Sequence, residues 1–421
     1  MIINDPVHGF IEIDKGLISA LVRHPVLIRL HRIAQLGPTS YVYPGGCHTR
    51  FSHSIGTLFL ITEALRTLRR KGIQISEDEW RSTQAAMLLH DVGHGPMSHS
   101  LEGMFFHGVT HEQITLTLVQ RLNEEMDHQL DLAIDIFLDK YNKHFLHELI
   151  CSQLDMDRLD YLCRDSFFTG VREGNIGAQR IIKMLNVKDD RLVVEAKGIY
   201  TIENYLMSRR LMYWQVYLHK TALAAQEALR TALERAGEIA STGRELPMSG
   251  NLAFFLQHKA EAKDCAPFSQ AIEHFLLLDD SDILSALKEW TQHPDKTLRK
   301  LALNYTTRHL YKAYPLHTPI SQKTLTQARM QVAQTLGVSL EEANYFVRPC
   351  TVAQMLYSTA DDHISILMKD GSVRDISNFS ELLHSQMVDR RSERRYLFVD
   401  RDAADIEILS SFQQKQRQSA Q

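Results

Sequence analysis

The stretch LLHDVGHGPMSHS, residues 88–100, places His90, Asp91, His94 and His99 within ten positions. Groups of these types ionise or coordinate near neutral pH. His53, in TRFSHS, and Asp157, in LDMDRLDY, add one more imidazole and one more carboxylate from distant parts of the chain. Together His53, His90, Asp91 and Asp157 offer a mixed nitrogen and oxygen donor set. Such a set suits a divalent ion, Mn, Fe, Ni, Zn or Mg, with positions left for water and phosphate oxygens. Donor softness alone does not choose among these metals.

The elements that must position these groups are mainly helical. Residues 53–70 place Ile55, Leu58, Phe59, Thr62, Leu65 and Leu68 on one stripe, with basic residues at the C-terminal end, which predicts a helix. A second is predicted to begin near Ser76, with Glu79 completing a capping box, and to stop at Gly93, Gly95 and Pro96. His90 and Asp91 then fall at its last turn. There, consecutive residues can both reach one ion, whereas inside a regular helix they diverge by about 100°. Helical patterning continues through 111–123, 131–140, 146–163 and 201–240. Strand-like alternation appears at 190–196, an Asp-Gly-centred hairpin at 364–376 and a third strand at 394–400.

The chain has 421 residues, which predicts two or three packed units on a prior of roughly 150 residues per domain. Apolar residues at 44% and charged residues at 23% are those of a globular protein rather than a disordered or fibrous one. With 47 basic and 51 acidic side chains, the formal charge of -4 gives no sign of a nucleic-acid-coating surface. The N-terminus carries acidic residues by position 5 and no signal-length apolar run, and no run approaches the roughly 18 residues of a membrane span. A cytoplasmic protein is expected. Cys47, Cys151, Cys163, Cys265 and Cys350 are an odd, scattered set without CxxC spacing, read as core thiols. Turn formers at 241–251 suggest a main helical domain over 1–240, a helical extension over 241–345 and a small mixed α/β unit over 346–421, with a frayed polar tail at 411–421.

Seven blocks in order carry a resemblance: NDPVHGFIEI (4–13), QLG (35–37), YPGGCHTRFSHS (43–54), LLHDVGHGPMSH (88–99), THEQ (110–113), LDMDRLDYLCRD (154–165) and RRLMYWQVYLHK (209–220). The set resembles the HD phosphohydrolase superfamily of all-α, metal-dependent enzymes, and most closely its deoxynucleoside triphosphate triphosphohydrolase branch. The resemblance implies an HD-domain helical core with His53, His90, Asp91 and Asp157 as metal ligands. It implies His99 as the catalytic histidine, His111 as its supporting partner and His94 close to the α-phosphate. Arg50, Arg158, Tyr161 and Arg209 match phosphate contacts, Gln35 and Asp165 match positions that hold the sugar 3′-hydroxyl, and Tyr217 matches the aromatic residue that crowds the 2′ position. Two departures stand out. Arg23, Ile28 and His31 replace the acidic, amide and arginine contacts of the vertebrate regulatory site, so nucleotide-triggered assembly is not implied. Glu102 stands where the relatives place an aspartate beside the catalytic histidine.

The expected function is therefore metal-dependent hydrolysis of deoxynucleoside triphosphates (dNTPs) to deoxynucleoside and inorganic triphosphate. The cofactor would be a divalent transition metal, with Mg accompanying the substrate phosphates; a homo-oligomer is expected by resemblance, and nucleic acid is not expected as the main partner. One alternative is action on another phosphoester, such as a nucleoside monophosphate, cyclic nucleotide or alarmone. Another is a nucleotide sensor or scaffold with little turnover. His94 and His111 would hold a second metal in a dinuclear variant of the site.

Overall fold

The computed structural model describes residues 1–355, 357, 363–380 and 391–404. The central helix, Arg50–Arg70, is capped by Thr49, whose side chain accepts from Ser52 N–H. It buries Ile55, Leu58, Ile61, Leu65 and Leu68 between the helices Glu77–Leu89 and Met156–Thr169. Glu77–Leu89 begins at the Ser76/Glu79 capping box and ends with His90 as its C-cap, as the pattern predicts. A matching box, Thr110 with Gln113, starts the helix His111–Glu125. Its Thr115 hydroxyl donates to the His90 carbonyl and accepts from Gly93 N–H, each at 3.0 Å, which ties down the turn carrying His90 and Asp91. Only glycine allows that approach, because a Cβ at position 93 would stand 2.1 Å from the His111 carbonyl oxygen.

Three predicted helices are shorter or broken. The 146–163 segment splits into His144–Glu148 and Met156–Thr169, because Asp155 turns from a helix-interior residue into an N-cap accepting from Arg158 N–H. The 201–240 segment splits into Ile199–Met212, a π turn over Tyr213–Tyr217, and Lys220–Ser241, whose N-cap is His219. Helix Asp131–Phe137 stops short of position 140, and Asp139 adopts a positive φ of 54°.

Among the described residues the strands form three small sheets. Ile2–Asp5 pairs with Gly9–Glu12 as an N-terminal hairpin. Arg191–Glu195, the expected 190–196 strand, pairs antiparallel with Leu185–Lys188 and parallel with Ser365–Leu367. The expected hairpin is present as Ser365–Leu367 and Val373–Asp375. The 394–400 strand does not join it: Arg391–Val399 lies between Lys312–Leu316 and Val347–Met355 in a separate sheet. These pairings stitch the C-terminal segment to both earlier parts of the chain. The cysteines are not core thiols: Cys47 and Cys151 are exposed, and Cys163, Cys265 and Cys350 pack at the margin of the apolar core. No helix among the described residues is long and apolar enough to cross a membrane. The 411–421 tail lies outside the described residues.

Candidate active site

The four expected ligands converge from two helices and the end of a third. His53 is fully buried; its Nε2 lies 3.0 Å from Asp157 Oδ1 and 3.6 Å from Asp91 Oδ2. His90 Nε2 is 3.5 Å from both Asp157 Oδ1 and Asp91 Oδ1. Each ring is held from behind, His53 Nδ1 donating to Asp160 Oδ2 and His90 Nδ1 to the Met87 carbonyl, both at 2.7 Å. That fixes the tautomers and turns the two Nε2 atoms toward the shared carboxylates. Both Nε2 atoms are buried and lack hydrogen-bond geometry to any partner, which is costly unless a cation takes their lone pairs.

The electrostatics point the same way. Burial alone would lower the His53 pKa, but the Asp157 and Asp160 carboxylates beside it outweigh that and raise it to about 10. A cavity that so strongly favours positive charge on an imidazole suits a divalent ion. Burial also pushes Asp157 and Asp91 upward, yet His53 and His90 hold Asp157 low, and Arg50 holds Asp91 low. The donors of His53, His90 and Asp91 all lie within 4.8 Å of one another. The residues present fit the metal that their pattern implies.

Behind the ligands lies a closed ionic network. Asp160, with no exposed surface, accepts from His8 Nε2 (2.6 Å), His53 Nδ1 (2.7 Å) and Arg164 Nε and Nη2 (2.8 and 3.0 Å). Arg164 also donates to Asp5 Oδ2 at 2.8 Å, and Asp5 caps the Val7 and His8 amides. The N-terminal hairpin thus braces the metal centre.

A second histidine group sits beside the first. The His94 ring lies 4.1 Å from that of His111 and 4.8 Å from that of His99, centroid to centroid. Glu102 joins two of them: its Oε2 accepts from His99 Nδ1 at 3.0 Å, its Oε1 from His111 Nδ1 at 2.7 Å. The bonds from His111 and then His99 hold the Glu102 carboxyl well below the usual range. His94 is buried, its Nε2 has no partner, and burial followed by the Arg50 charge pushes its pKa down, so the ring is neutral. The His99 side chain, in contrast, is 62% exposed.

The residues matched to phosphate contacts fall in two groups. Arg50 is buried and committed to protein partners, Asp91 and the Ser98 hydroxyl (2.7 Å), so it braces a metal ligand. Arg158 pairs with Asp155 and the Ser152 carbonyl. Arg209 donates to Gln153 Oε1 at 2.5 Å and keeps a buried Nε without a partner. At the far end of the Met156–Thr169 helix, Asp165 accepts from Tyr217 OH at 2.6 Å and His48 Nε2 at 2.8 Å. Tyr161 meets Tyr217 edge-on with centroids 6.0 Å apart. Gln35 joins this end through its amide bond to the His48 carbonyl (3.0 Å), and its side-chain oxygen is buried and unpartnered.

Comparison with known proteins agrees with this geometry. The HD domain family matches residues 50–165, and the HD associated region matches residues 176–249. The crystal structure of a phosphohydrolase from Bacteroides thetaiotaomicron superposes with a TM-score of 0.92 at 51% sequence identity, covering 95% of this chain and 100% of that one. The chain belongs to the HD-domain phosphohydrolase family. Among its relatives, the uncharacterized protein YwfO of Bacillus subtilis is 27% identical over 413 residues, 94% of this chain and 92% of that protein. The human deoxynucleoside triphosphate triphosphohydrolase SAMHD1 is 30% identical over 263 residues, 52% of this chain and 42% of its own length.

Several working residues of this HD phosphohydrolase escape a sequence reading. Asp155 and Asp160 resemble helix-surface charge in the sequence, yet they are 1% and 0% exposed. Asp155 caps the helix that carries Asp157, and Asp160 orients His53. A signal was available: Asp160 follows Asp157 by three residues and precedes Arg164 by four, so all three share one helix side. His8 and His48 sit inside the ordered blocks, but nothing local marks them as partners of carboxylates more than one hundred residues away.

Proposed function

We propose that this HD phosphohydrolase is a cytoplasmic, homo-oligomeric enzyme that hydrolyses dNTPs, releasing deoxynucleoside and inorganic triphosphate. The carrying observation is the row Asp157, Tyr161, Asp165 at four-residue spacing on one helix. One end belongs to the metal centre, and the other is an aspartate aligned by Tyr217 and His48. A metal end and a hydroxyl-binding end roughly 12 Å apart along the axis, at 1.5 Å per residue, suit a nucleotide better than a small phosphoester. Relatives named as deoxynucleoside triphosphate triphosphohydrolases support the same reading.

In this reading water attacks the α-phosphorus, the bond to the 5′-oxygen breaks, and that oxygen leaves with the electron pair. His53, His90, Asp91 and Asp157 would hold a divalent ion, which would supply charge neutralisation and orientation at the phosphorus. His99 has Nδ1 engaged by Glu102, which leaves Nε2 to protonate the departing oxygen, while His111 keeps Glu102 in place. Arg158 and Arg209 receive the outer phosphates, together with any accompanying Mg, and Arg50 keeps Asp91 ionised and aimed. The Tyr217 ring, fixed by its bond to Asp165, excludes a 2′-hydroxyl by crowding.

The test is a metal-scanned incubation with the four dNTPs and their ribonucleotide counterparts, products identified by mass. Inorganic triphosphate with deoxynucleoside is the expected pair. Orthophosphate or a linearised nucleotide from a better substrate would overturn the reading, as would dNTPs bound yet intact after hours. The mutual approach of His94, His99 and His111 ligand atoms, all within 4.8 Å, favours a second reading as a dinuclear phosphoesterase. Two metal equivalents per chain, one lost in His111→Ala, would select it.

A further inference from the structure

Outside the metal centre, helices Lys220–Ser241 and Gln322–Leu336 and the strand Val347–Met355 enclose a cleft of about 440 Å³. Its walls include Arg230, Arg329, Arg348, Leu223 and Pro349, and His99 stands at one edge. Arg348 is neutralised: Nε donates to Glu227 Oε1 at 2.5 Å and Nη2 to Glu234 Oε1 at 3.1 Å. Among the described residues Arg230 and Arg329 form no ion pair. Arg329 Nε is moreover buried with no hydrogen-bond partner. Burial first, and then the nearby Arg348, push the Arg329 pKa down.

A guanidinium fork matches the oxygens of a phosphate group, and two unpaired forks facing one cleft match consecutive phosphates. The volume lies in the usual range for a small-ligand site. We propose that this cleft binds a phosphate chain, either free inorganic triphosphate or the phosphates of a nucleotide, at a site that shares only the His99 edge with the active site. Arg230 and Arg329 are the anchoring residues, and Leu223 and Pro349 form an apolar wall. The inference does not depend on dNTPs being the substrate.

Binding of inorganic triphosphate to the full chain, followed by calorimetry, tests it. Two classes of site are expected in the unaltered protein. Arg230→Gln combined with Arg329→Gln should weaken one class at least tenfold, and Arg209→Gln should leave that class intact. Far-ultraviolet dichroism and melting confirm the fold of each variant; if the double variant does not fold, Arg230→Gln alone should still show the loss. A nucleoside triphosphate, offered to Asp157→Asn protein so that it stays intact, separates the two sources. Binding tighter than inorganic triphosphate, lost with Arg230 and Arg329, assigns the cleft to nucleotides; equal or weaker binding, lost with the same pair, assigns it to the free anion. Triphosphate binding unchanged in the folded double variant, or wholly abolished by Arg209→Gln, overturns the proposal.

Discussion

Asp160→Asn isolates the support behind the metal centre from the ligands themselves. Burial alone would raise the Asp160 pKa, but the Arg164 charge and the bonds from His53 and His8 outweigh it and hold the carboxyl well below its ordinary range. The substitution is therefore a removal of charge at every working pH, with side-chain shape retained. The carboxylate accepts four hydrogen bonds, one each from His8 and His53 and two from Arg164. An amide accepts through one oxygen and turns its NH2 group toward the remaining donors. Arg164, itself without exposed surface, keeps only Asp5 as an ionic partner among the described residues. Breaking one side of a buried ion pair costs about 3–5 kcal/mol. For a chain of this size that is a fall in melting temperature of roughly 3–6 °C. His53 loses the carboxylate that fixes its ring, and altering such a partner costs roughly 10–100-fold in metal affinity. Chelator competition measures the affinity, and hydrolysis measured against added metal should recover at saturating ion. Metal affinity within twofold of the unaltered protein, with an unchanged melting temperature, would refute the orienting role of Asp160.

Three further outcomes are expected. Gly56→Ala should strike the same network from the facing helix, because a Cβ there would stand 2.0 Å from Asp160 Oδ1 and 2.2 Å from Arg164 Nη2. The loss should exceed the usual overpacking cost of about 1–3 kcal/mol and outweigh the roughly 1 kcal/mol gain in helix propensity; urea unfolding checks it. His99→Ala should keep metal and nucleotide binding while slowing turnover by roughly a hundredfold or more, and an unchanged kcat would remove His99 from the proton transfer. Glu79→Gln should lower the melting temperature at neutral pH by an amount that shrinks in acid. Burial pushes the Glu79 carboxyl up, but Lys143, Tyr141 and the Ser76 amide outweigh it and hold the pKa below 4.5. The unfolded chain then binds the proton first, so this stabilisation is complete above about 4.5 and disappears as pH falls through the lower folded value. A gap between the two proteins that stays constant from pH 7 to pH 3 would contradict this.

Three of the candidate metal ligands lie in strong local patterns, His53 at the start of an apolar stripe and His90 and Asp91 at a helix end announced by glycines and proline. The helix breaks were harder. Apolar periodicity runs through 146–163 and 201–240, while the stops rest on single residues, Asp155 and His219, that become caps only once the neighbouring turn exists. Strand pairing was harder still. Nothing within 394–400 says that its partners are Lys312–Leu316 and Val347–Met355 rather than the nearer hairpin, since cross-strand choice depends on long-range packing.

The resemblance of Asp160 to helix-surface charge in the sequence has a different cause. At about 100° per residue, the buried positions Met156, Leu159, Asp160, Leu162, Arg164 and Asp165 surround the Met156–Thr169 helix on nearly every side. A helix buried in that way offers its ionic residues no solvated face, so those residues must pair with one another or with charges brought by neighbouring elements. Leu159 precedes Asp160 in the chain and Leu162 follows it, and Arg164 lies one turn further on. That arrangement already argues that Asp160 and Arg164 form an interior pair aimed at the adjacent helix, where His53 presents its Nδ1. Asp160, on a helix buried around most of its circumference, is thus an ionic support behind the candidate metal ligands, whereas Asp135, flanked by Ile134 and Ile136 on the short helix Asp131–Phe137, stays exposed.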